Sequence, residues 1–490
     1  MIRSLRLDAH QRERAGLAVA AACALTGVAM ATRPGFAPVI AVAAVLAALS
    51  LDWRRGVLAL LVVLPFAGLP VFIAGEPGLV LRDVAVTAPL YIAFALAMLP
   101  SDERLLPPLG IGLPALALFA ALVVLGVARS PSLTVGVIGA KVWLAYIPML
   151  AVGYRFVRRV EDFEGALRLT ALIGLIPAAI ALSEWLLATR ASQAPYGPWI
   201  NHFGPYDGMY GAWFEHVRLS RVAFGPPHHT IMIPRVPSTF TGASQYFGFA
   251  MTAYAAGLAM ALRRRTGWWA LCALVLGAAA IASGMRAAYV AVPAVSLLAV
   301  ILAGGPLRWT VRATLAATAM LVFASIAGAN PVRVASMIPA HVQEDLHYAS
   351  GEFDAALSSG VAGHGTGWDT NAALRYGSAA QQRFVENWYA KTLLELGVVG
   401  LASIVVAFAV IGIRLAAPWR RLDARSRQLA APVLALLAVM ALSLFKGPYL
   451  DLDPFNVYFW LFTGMVFGLY RCLGVTAESR KEGRGEPGST

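Results

Sequence analysis

Arginine and hydroxyl residues ahead of one apolar run form the first group whose types and spacing could do chemistry. Arg235 is followed closely by Ser238 and Thr239. A guanidinium binds phosphate through two parallel hydrogen bonds, and hydroxyls and free backbone N–H groups at a helix start add donors. The group therefore suits an anionic ligand. The alternative is an interfacial arginine that reaches lipid phosphates, with Thr241 or Ser244 acting only as a helix cap.

A second group is the very short turn Ser283-Gly284-Met285-Arg286 between two apolar runs. A charge at membrane depth is costly, which makes Arg286 a functional candidate. Its alternative role is again contact with lipid phosphates.

The third group combines a glycine-rich segment around His364 with Glu386 and Asn387 at the start of another apolar run. Glu386 could act as a general base if a dry pocket encloses it. Its alternative role is to favour the positive end of a helix. Lys391 and Glu395 are four residues apart, so they can pair on one helix face.

Further polar residues lie in or beside apolar runs, and several fall near the same predicted membrane face: Lys141, Glu184, Lys446, Asp451 and Asp453. Their concentration there suggests a polar site that opens outward, although some are expected to be structural pairs. Histidines are numerous in the loops but lack the spacing of a zinc site, so we expect no metal. No nucleotide-binding motif is present in the sequence either.

The elements that must position these residues are membrane helices. The chain has 490 residues, is 59% hydrophobic and only 13% charged, about half the charged fraction of a soluble domain. Runs long enough to cross a bilayer lie at about 15–32, 35–51, 56–74, 79–99, 109–128, 134–153, 166–188, 243–262, 267–285, 286–303, 309–328, 391–415, 428–445 and 454–472. We expect about fourteen spans, or twelve to thirteen if the first two form a re-entrant hairpin.

The basic residues set the orientation of this bundle. The chain has a net charge of +13, and its basic residues lie in short clusters between apolar runs, such as Arg263 to Arg265. This distribution is typical of membrane topology rather than of nucleic-acid binding. The positive-inside rule then places both termini in the cytoplasm and two large loops outside.

We therefore predict an all-α polytopic bundle in six parts. These are an N-terminal transmembrane bundle (1–188), a first large periplasmic loop (189–242), central transmembrane helices (243–328), a second large periplasmic loop (329–390), C-terminal transmembrane helices (391–475) and a disordered cytoplasmic tail (476–490).

Three blocks of the chain resemble the O-antigen ligase/polymerase superfamily of bacterial envelope glycan enzymes. They are Arg235 with Ser238-Thr239-Phe240, then Ser283-Gly284-Met285-Arg286, then Glu386-Asn387 followed by Leu394-Glu395-Leu396-Gly397 and Gly400-Leu401. Their order and the two large outer loops also match. Each block is short, so the specificity lies in the set.

The resemblance implies a membrane glycosyltransferase of the GT-C type in the bacterial inner membrane. Such an enzyme transfers a glycan from a polyprenyl-diphosphate donor to a glycan or lipid-linked acceptor, without a cofactor or metal. Arg235 and Arg286 would hold the diphosphate and Glu386 would act as base. Substrate-binding residues would be Ser238, Thr239, Ser283, Asn387, His364 and Lys141. Partners from an envelope polysaccharide assembly complex are also implied, and nucleic acid is not.

The chain departs from the family at one position. Ligases carry a histidine where this chain has Glu386, which favours a polymerase, or a ligase-like enzyme for exopolysaccharide. His364 is then a secondary base candidate. Two other functions stay open: a flippase or exporter, for which symmetric halves and broken helices are expected, and a non-catalytic scaffold of an envelope complex.

Overall fold

The computed structural model describes residues 52–74, 83–99, 104–190, 221–224, 231–304, 331–358, 360–368 and 385–475. Helices dominate these residues, which confirms the predicted helical class. The predicted spans 15–32, 35–51 and 309–328 and the predicted tail lie outside the described residues. So do 191–220 and 369–384 of the two predicted loops.

Fourteen α-helices occur in the described part of the chain. They are α1 (Trp53–Val63), α2 (Leu69–Ala74), α3 (Ala88–Met98), α4 (Gly112–Val127), α5 (Leu133–Leu144), α6 (Met149–Phe156), α7 (Val160–Arg190), α8 (Ala243–Arg264), α9 (Gly267–Ala282), α10 (Ala288–Ala303), α11 (Pro331–Ser358), α12 (Trp388–Ala416), α13 (Ala424–Ser443) and α14 (Phe455–Cys472). A π-helical turn (Asp83–Thr87) and three 3-10 turns (Leu64–Phe66, Trp419–Arg421 and Tyr449–Asp451) complete the helical elements.

One short antiparallel hairpin lies inside the predicted first loop. Strand β1 (Arg221–Phe224) pairs with β2 (Ile231–Pro234), with Val222 opposite Ile233. The chain leaves β2 directly into Arg235 and reaches α8 eight residues later.

Local signals explain why the helices begin and end close to the predicted boundaries. Ser132 and Asp423 accept backbone N–H groups at the starts of α5 and α13, and such caps satisfy donors that a helix leaves open. Helix α10 ends at Gly304, whose φ of 62° suits a residue without a Cβ. Apolar runs between these signals form the helices themselves.

Four helical segments are long and apolar enough to cross a membrane, judged by length and composition: Leu133–Phe156, Val160–Trp185, Trp388–Arg421 and Ala424–Ser443. Four shorter helices are also apolar: Ala85–Met98, Gly112–Val127, Gly267–Ala282 and Ala288–Ala303. These helices indicate a membrane protein.

Glycines permit a very close crossing of α6 and α14. A Cβ added at Gly153 would lie 2.1 Å from the Leu461 carbonyl oxygen, and one at Gly464 would lie 2.1 Å from that of Leu150. Gly468, one turn further along α14, also lies close to α6, where a Cβ would come within 2.7 Å of the Tyr154 carbonyl oxygen. Small residues spaced by four let helix backbones approach in this way, which is a common basis of helix association in membranes.

Helix α12 is broken near its start at Gly397, whose φ of 73° and ψ of −174° lie outside the helical range. Beyond the break, the N–H of Val398 donates to the Val361 carbonyl at 3.0 Å instead of to the preceding turn. The segment 360–368 therefore crosses α12 at the break.

The part of that segment from 363 to 368 is buried or half-buried in the bundle, whereas 360–362 are exposed. The sequence suggested a flexible loop here. Its N–H groups at His364 and Gly365 donate to the helix carbonyls of Leu394 and Glu395, at 2.8 and 2.9 Å. These acceptors are the ones that the break deprives of their helical partners. The Thr366 hydroxyl donates to a carbonyl of α4 at 2.7 Å.

Candidate functional site

Arg235 lies beside the turn that carries Arg286. The N–H of Val236 donates to the Ser283 carbonyl at 3.1 Å, which ties the segment before α8 to the α9–α10 turn. Gly284 in that turn has a φ of 71°, a conformation that glycine adopts easily. The backbone thus brings together two arginines that are 51 positions apart in the sequence.

The electrostatic surroundings of Arg235 include Glu386 as well. Burial lowers the pKa of Arg235, and the positive charge of Arg286 lowers it further, whereas Glu386 and Tyr449 act in the opposite direction. The Nε of Arg235 is buried and has no hydrogen-bond partner among the described residues. Two guanidinium groups that repel each other in a partly buried place favour the binding of an anion.

Glu386 is held in place by α11. Both carboxylate oxygens of Glu352 accept backbone N–H groups, from Glu386 at 2.7 Å and from Asn387 at 2.8 Å. The rest of the contact is apolar, because Phe353 and Ala356 of α11 pack with Leu393 and Leu394 of α12. The helix inside the predicted second loop therefore positions the start of α12.

Lys446 is a site residue that the sequence placed only among the polar residues near one membrane face, without a role of its own. Its Nζ lies 3.1 Å from Glu386 Oε2 and 4.9 Å from the ring centroid of Tyr348 on α11. The Glu386 side chain is 38% exposed, so the dry pocket expected for a base is not present in this conformation. We call Arg235, Arg286, Glu386 and Lys446 the arginine–glutamate cluster.

The hydroxyls predicted to bind substrate are used inside the protein. Ser238 Oγ donates to the Pro177 carbonyl at 2.7 Å, and Thr239 Oγ1 donates to the Pro65 carbonyl at 2.5 Å. Ser283 Oγ donates to the Ala280 carbonyl in the last turn of the preceding helix α9 at 2.6 Å. All three side chains are buried, so they fix the shape of the cluster's backbone rather than face a ligand.

Asn387 also has a structural role. Its Oδ1 accepts the N–H groups of Tyr389 and Ala390 at 3.0 and 3.2 Å, which makes it the cap of α12. Its buried Nδ2 has no hydrogen-bond partner among the described residues.

His364 is not brought to the cluster. Its backbone binds the carbonyl of Leu394, eight residues along the chain from Glu386, or roughly 12 Å along a helix. Its ring packs on Trp368 with centroids 4.9 Å apart. The structure therefore does not place it at the level of Glu386, and its role as a secondary base stays a prediction from the sequence.

Lys141 belongs to a neighbouring polar network. Its Nζ lies 2.5 Å from Asp83 Oδ2. The Tyr146 hydroxyl donates to Asp83 at 3.0 Å and contacts Asp453 at 3.4 Å. Asp453 lies in the same α13–α14 connection as Lys446, so this one connection contributes to both the network and the cluster.

A buried ion pair joins α12 to this same connection. Lys391 pairs with Asp451, and the Trp388 indole donates to the other oxygen of Asp451 at 3.0 Å. One helical turn further on, Glu395 accepts the Trp143 indole N–H at 2.7 Å and the Gly367 N–H at 2.9 Å. The sequence suggested that Lys391 and Glu395 pair with each other, whereas the structure gives each of them partners from other elements.

No three His, Cys, Asp or Glu side chains come together as a metal site within the described part of the chain. No protein-family model matches the chain, and no curated protein matches it either.

Proposed function

We propose that this protein is a membrane glycosyltransferase that moves a glycan from a polyprenyl-diphosphate donor to an acceptor hydroxyl. The single observation that carries the proposal is the convergence of Arg235, Arg286 and Glu386. They come from three separate segments of the chain and share one electrostatic environment. The resemblance to O-antigen ligases and polymerases supplies the substrate class.

In the proposed reaction the acceptor oxygen attacks the anomeric carbon of the donor while the bond from that carbon to the diphosphate breaks. Glu386 takes the proton of the acceptor hydroxyl. Arg235 and Arg286 bind the diphosphate and stabilise the charge that develops on it as it leaves. The configuration at the anomeric carbon is inverted.

Lys446 adds a third cation to this proposed site. In the resting protein it is paired with Glu386, which keeps the carboxylate from acting on an acceptor. A bound diphosphate competes with Glu386 for Lys446, because it offers more negative charge to the same ammonium group. Donor binding would thus release the base only when there is a glycan to transfer.

The topology belongs to the proposal as well. We place the chain in a bacterial cytoplasmic membrane with a GT-C-like bundle of about twelve to fourteen spans, both termini in the cytoplasm and the cluster at the periplasmic face. The support is the positive-inside pattern of Arg263 to Arg265. Those arginines end α8, the helix whose other end follows Arg235.

Complementation of a glycan-deficient strain tests the function. Arg235→Ala, Arg286→Ala and Glu386→Gln should each lower glycan transfer by about a hundredfold or more. The matched controls Arg425→Ala and Glu161→Gln change exposed side chains that are outside the arginine–glutamate cluster. They should keep transfer intact. Full activity of all three site variants would contradict the proposal.

The intermediates that accumulate in those variants identify the reaction. Single lipid-linked repeats at the periplasmic face indicate a polymerase, and long chains that stay on the lipid carrier indicate a ligase. Repeats trapped on the cytoplasmic face would instead indicate a flippase.

A transporter is the second candidate, and the break in α12 favours it. Discontinuous helices at membrane depth are typical of secondary transporters, where they form substrate sites. In this protein, however, the segment 360–368 fills the break and satisfies the backbone groups there. The break therefore resembles a structural joint more than an open site.

A further inference from the structure

A groove lies at the end of α8 opposite to the arginine–glutamate cluster. It has a volume of about 390 Å³ and is formed by α7, α8 and the start of α9. The 22 residues of α8 separate the two places by roughly 33 Å, at 1.5 Å per residue. This groove is therefore unrelated to the proposed chemistry.

Two arginines line the groove. Arg264 is half-exposed and pairs with Glu164 at 2.5 Å. Arg168 is exposed and has no hydrogen-bond or ion-pair partner among the described residues. It lies eight residues into α7 and only two residues inside the predicted span 166–188. A long arginine side chain at that level can reach a lipid phosphate.

The remaining walls suit the rest of a lipid. Leu172, which is 36% exposed, provides apolar surface next to the arginines, and the buried Met260 lies in the same wall. Trp268 and Trp269 stand at the start of α9, and Trp268 is 57% exposed. Amphipathic rings of this kind occur at the level of lipid headgroups. Thr266 precedes them and makes no capping hydrogen bond, which leaves its hydroxyl for a ligand.

The charge around the groove is positive even after internal pairing. Glu164 is the acidic partner of both Arg263, at 3.6 Å, and Arg264. If a phosphate draws Arg264 away, Arg263 still neutralises Glu164. An incoming anion therefore leaves no buried carboxylate without a partner, which keeps its binding cost low.

We propose that this groove binds one anionic phospholipid. Its phosphate lies between Arg168 and Arg264, and the first part of an acyl chain lies along Leu172. The groove's chemistry combines a bidentate cationic site with apolar and aromatic walls, and an anionic phospholipid is the membrane component that matches both parts. In the predicted topology the lipid belongs to the cytoplasmic leaflet.

Thermal unfolding of the purified full-length protein in neutral detergent tests this site. Phosphatidylglycerol, phosphatidylcholine and inorganic phosphate are titrated at equal concentrations. We expect phosphatidylglycerol alone to raise Tm in a saturable way. Arg168→Gln/Arg264→Gln should weaken its apparent affinity by about tenfold or more, because two charge-assisted contacts are lost.

The control variant Arg420→Gln/Arg425→Gln removes the same charge from two exposed arginines outside the groove and should bind the lipid as the natural protein does. Arg168→Lys/Arg264→Lys should recover part of the affinity, since charge is kept but bidentate geometry is lost. Equal stabilisation by phosphatidylcholine would overturn the anionic site. An equal effect of inorganic phosphate would show that the ligand is not a lipid. An equal loss of affinity in the control variant would show that only the net charge of the protein matters, and would also overturn the site.

Discussion

Lys391 and Asp451 show how single residues stabilise the bundle. The Lys391 side chain is 1% exposed, so its charge depends almost entirely on the protein around it. Besides pairing with Asp451, the ammonium group of Lys391 makes a cation–π contact with the Trp143 ring, whose centroid lies 5.0 Å from Nζ. Such a buried pair contributes little net stability against an apolar pair, but the loss of one partner leaves the other charge uncompensated.

We therefore expect Lys391→Met to destabilise the protein by about 3–5 kcal/mol. The double variant Lys391→Met/Asp451→Asn should be less destabilised than the single one, since it removes the orphaned carboxylate and keeps an acceptor for Trp388. Unfolding in detergent with increasing denaturant measures both. A double variant that is less stable than Lys391→Met would contradict this account of the pair.

At this scale the sequence identified charged residues better than hydroxyls. Arg235, Arg286 and Glu386 could be selected because a charge in or near a membrane is costly wherever it points. A hydroxyl costs little free energy to bury in many places, because it can donate to a nearby backbone carbonyl. Its role therefore depends on its neighbours. Ser238 and Thr239 find their carbonyl partners 61 and 174 residues away, which no local pattern reveals. The Lys446 partner, 60 residues away, is hidden for the same reason.

The break in α12 is the element that the sequence described least well. The predicted run 391–415 coincides with the helix, and a single glycine in such a run is compatible with an unbroken helix. The break becomes visible only with the segment 360–368 in place, because Val361 takes the N–H that the helix gives up. Helix α11 escaped prediction for a related reason, since a search for long apolar runs does not find an amphipathic helix.

Substitution of the glycine at the break should disrupt this joint. A Cβ at Gly397 would lie 2.3 Å from the Val361 carbonyl oxygen in a backbone conformation that is nearly restricted to glycine. We expect Gly397→Ala to cost about 3 kcal/mol or more. The matched control is Gly412→Ala, in the same helix, where a Cβ meets nothing within 4 Å. It should stabilise the protein by up to about 1 kcal/mol.

Thermal unfolding of both variants in one detergent provides the comparison. If Gly397→Ala and Gly412→Ala unfold at the same temperature, the break at Gly397 is not the conformation that the folded protein holds.

The whole molecule is organised by its two chemically different ends. The Arg235 end carries the arginine–glutamate cluster, the ion pairs of Lys141 and Lys391 and the helix α11. The other end carries Arg263 to Arg265 and the groove lined by Arg168 and Arg264. Hydropathy alone predicted the order of the apolar helices, although not α11, because the free energy of burying apolar runs in lipid exceeds that of most local signals. The close approach of α6 and α14 could not be predicted in this way, because it depends on glycines of two distant segments that face each other.

The sidedness of these ends can be measured with single cysteines. The first step replaces Cys23, Cys272 and Cys472 by alanine. The second step introduces either Leu346→Cys, at an exposed position of α11, or Arg420→Cys, at an exposed position of the opposite end. We expect a membrane-impermeant maleimide to label Leu346→Cys on right-side-out vesicles. Arg420→Cys should react only after permeabilisation. The reverse pattern would place the cluster in the cytoplasm and exclude a periplasmic reaction.

The ion pair between Lys446 and Glu386 has a consequence for the end of the proposed reaction cycle. After transfer, the lipid diphosphate product is bound by three cations, and such strong binding would slow its release. Glu386 regains its charge when it passes the acceptor's proton to water, and then attracts Lys446 back. The carboxylate thereby helps to expel the product, so turnover speed and base strength depend on the same 3.1 Å contact.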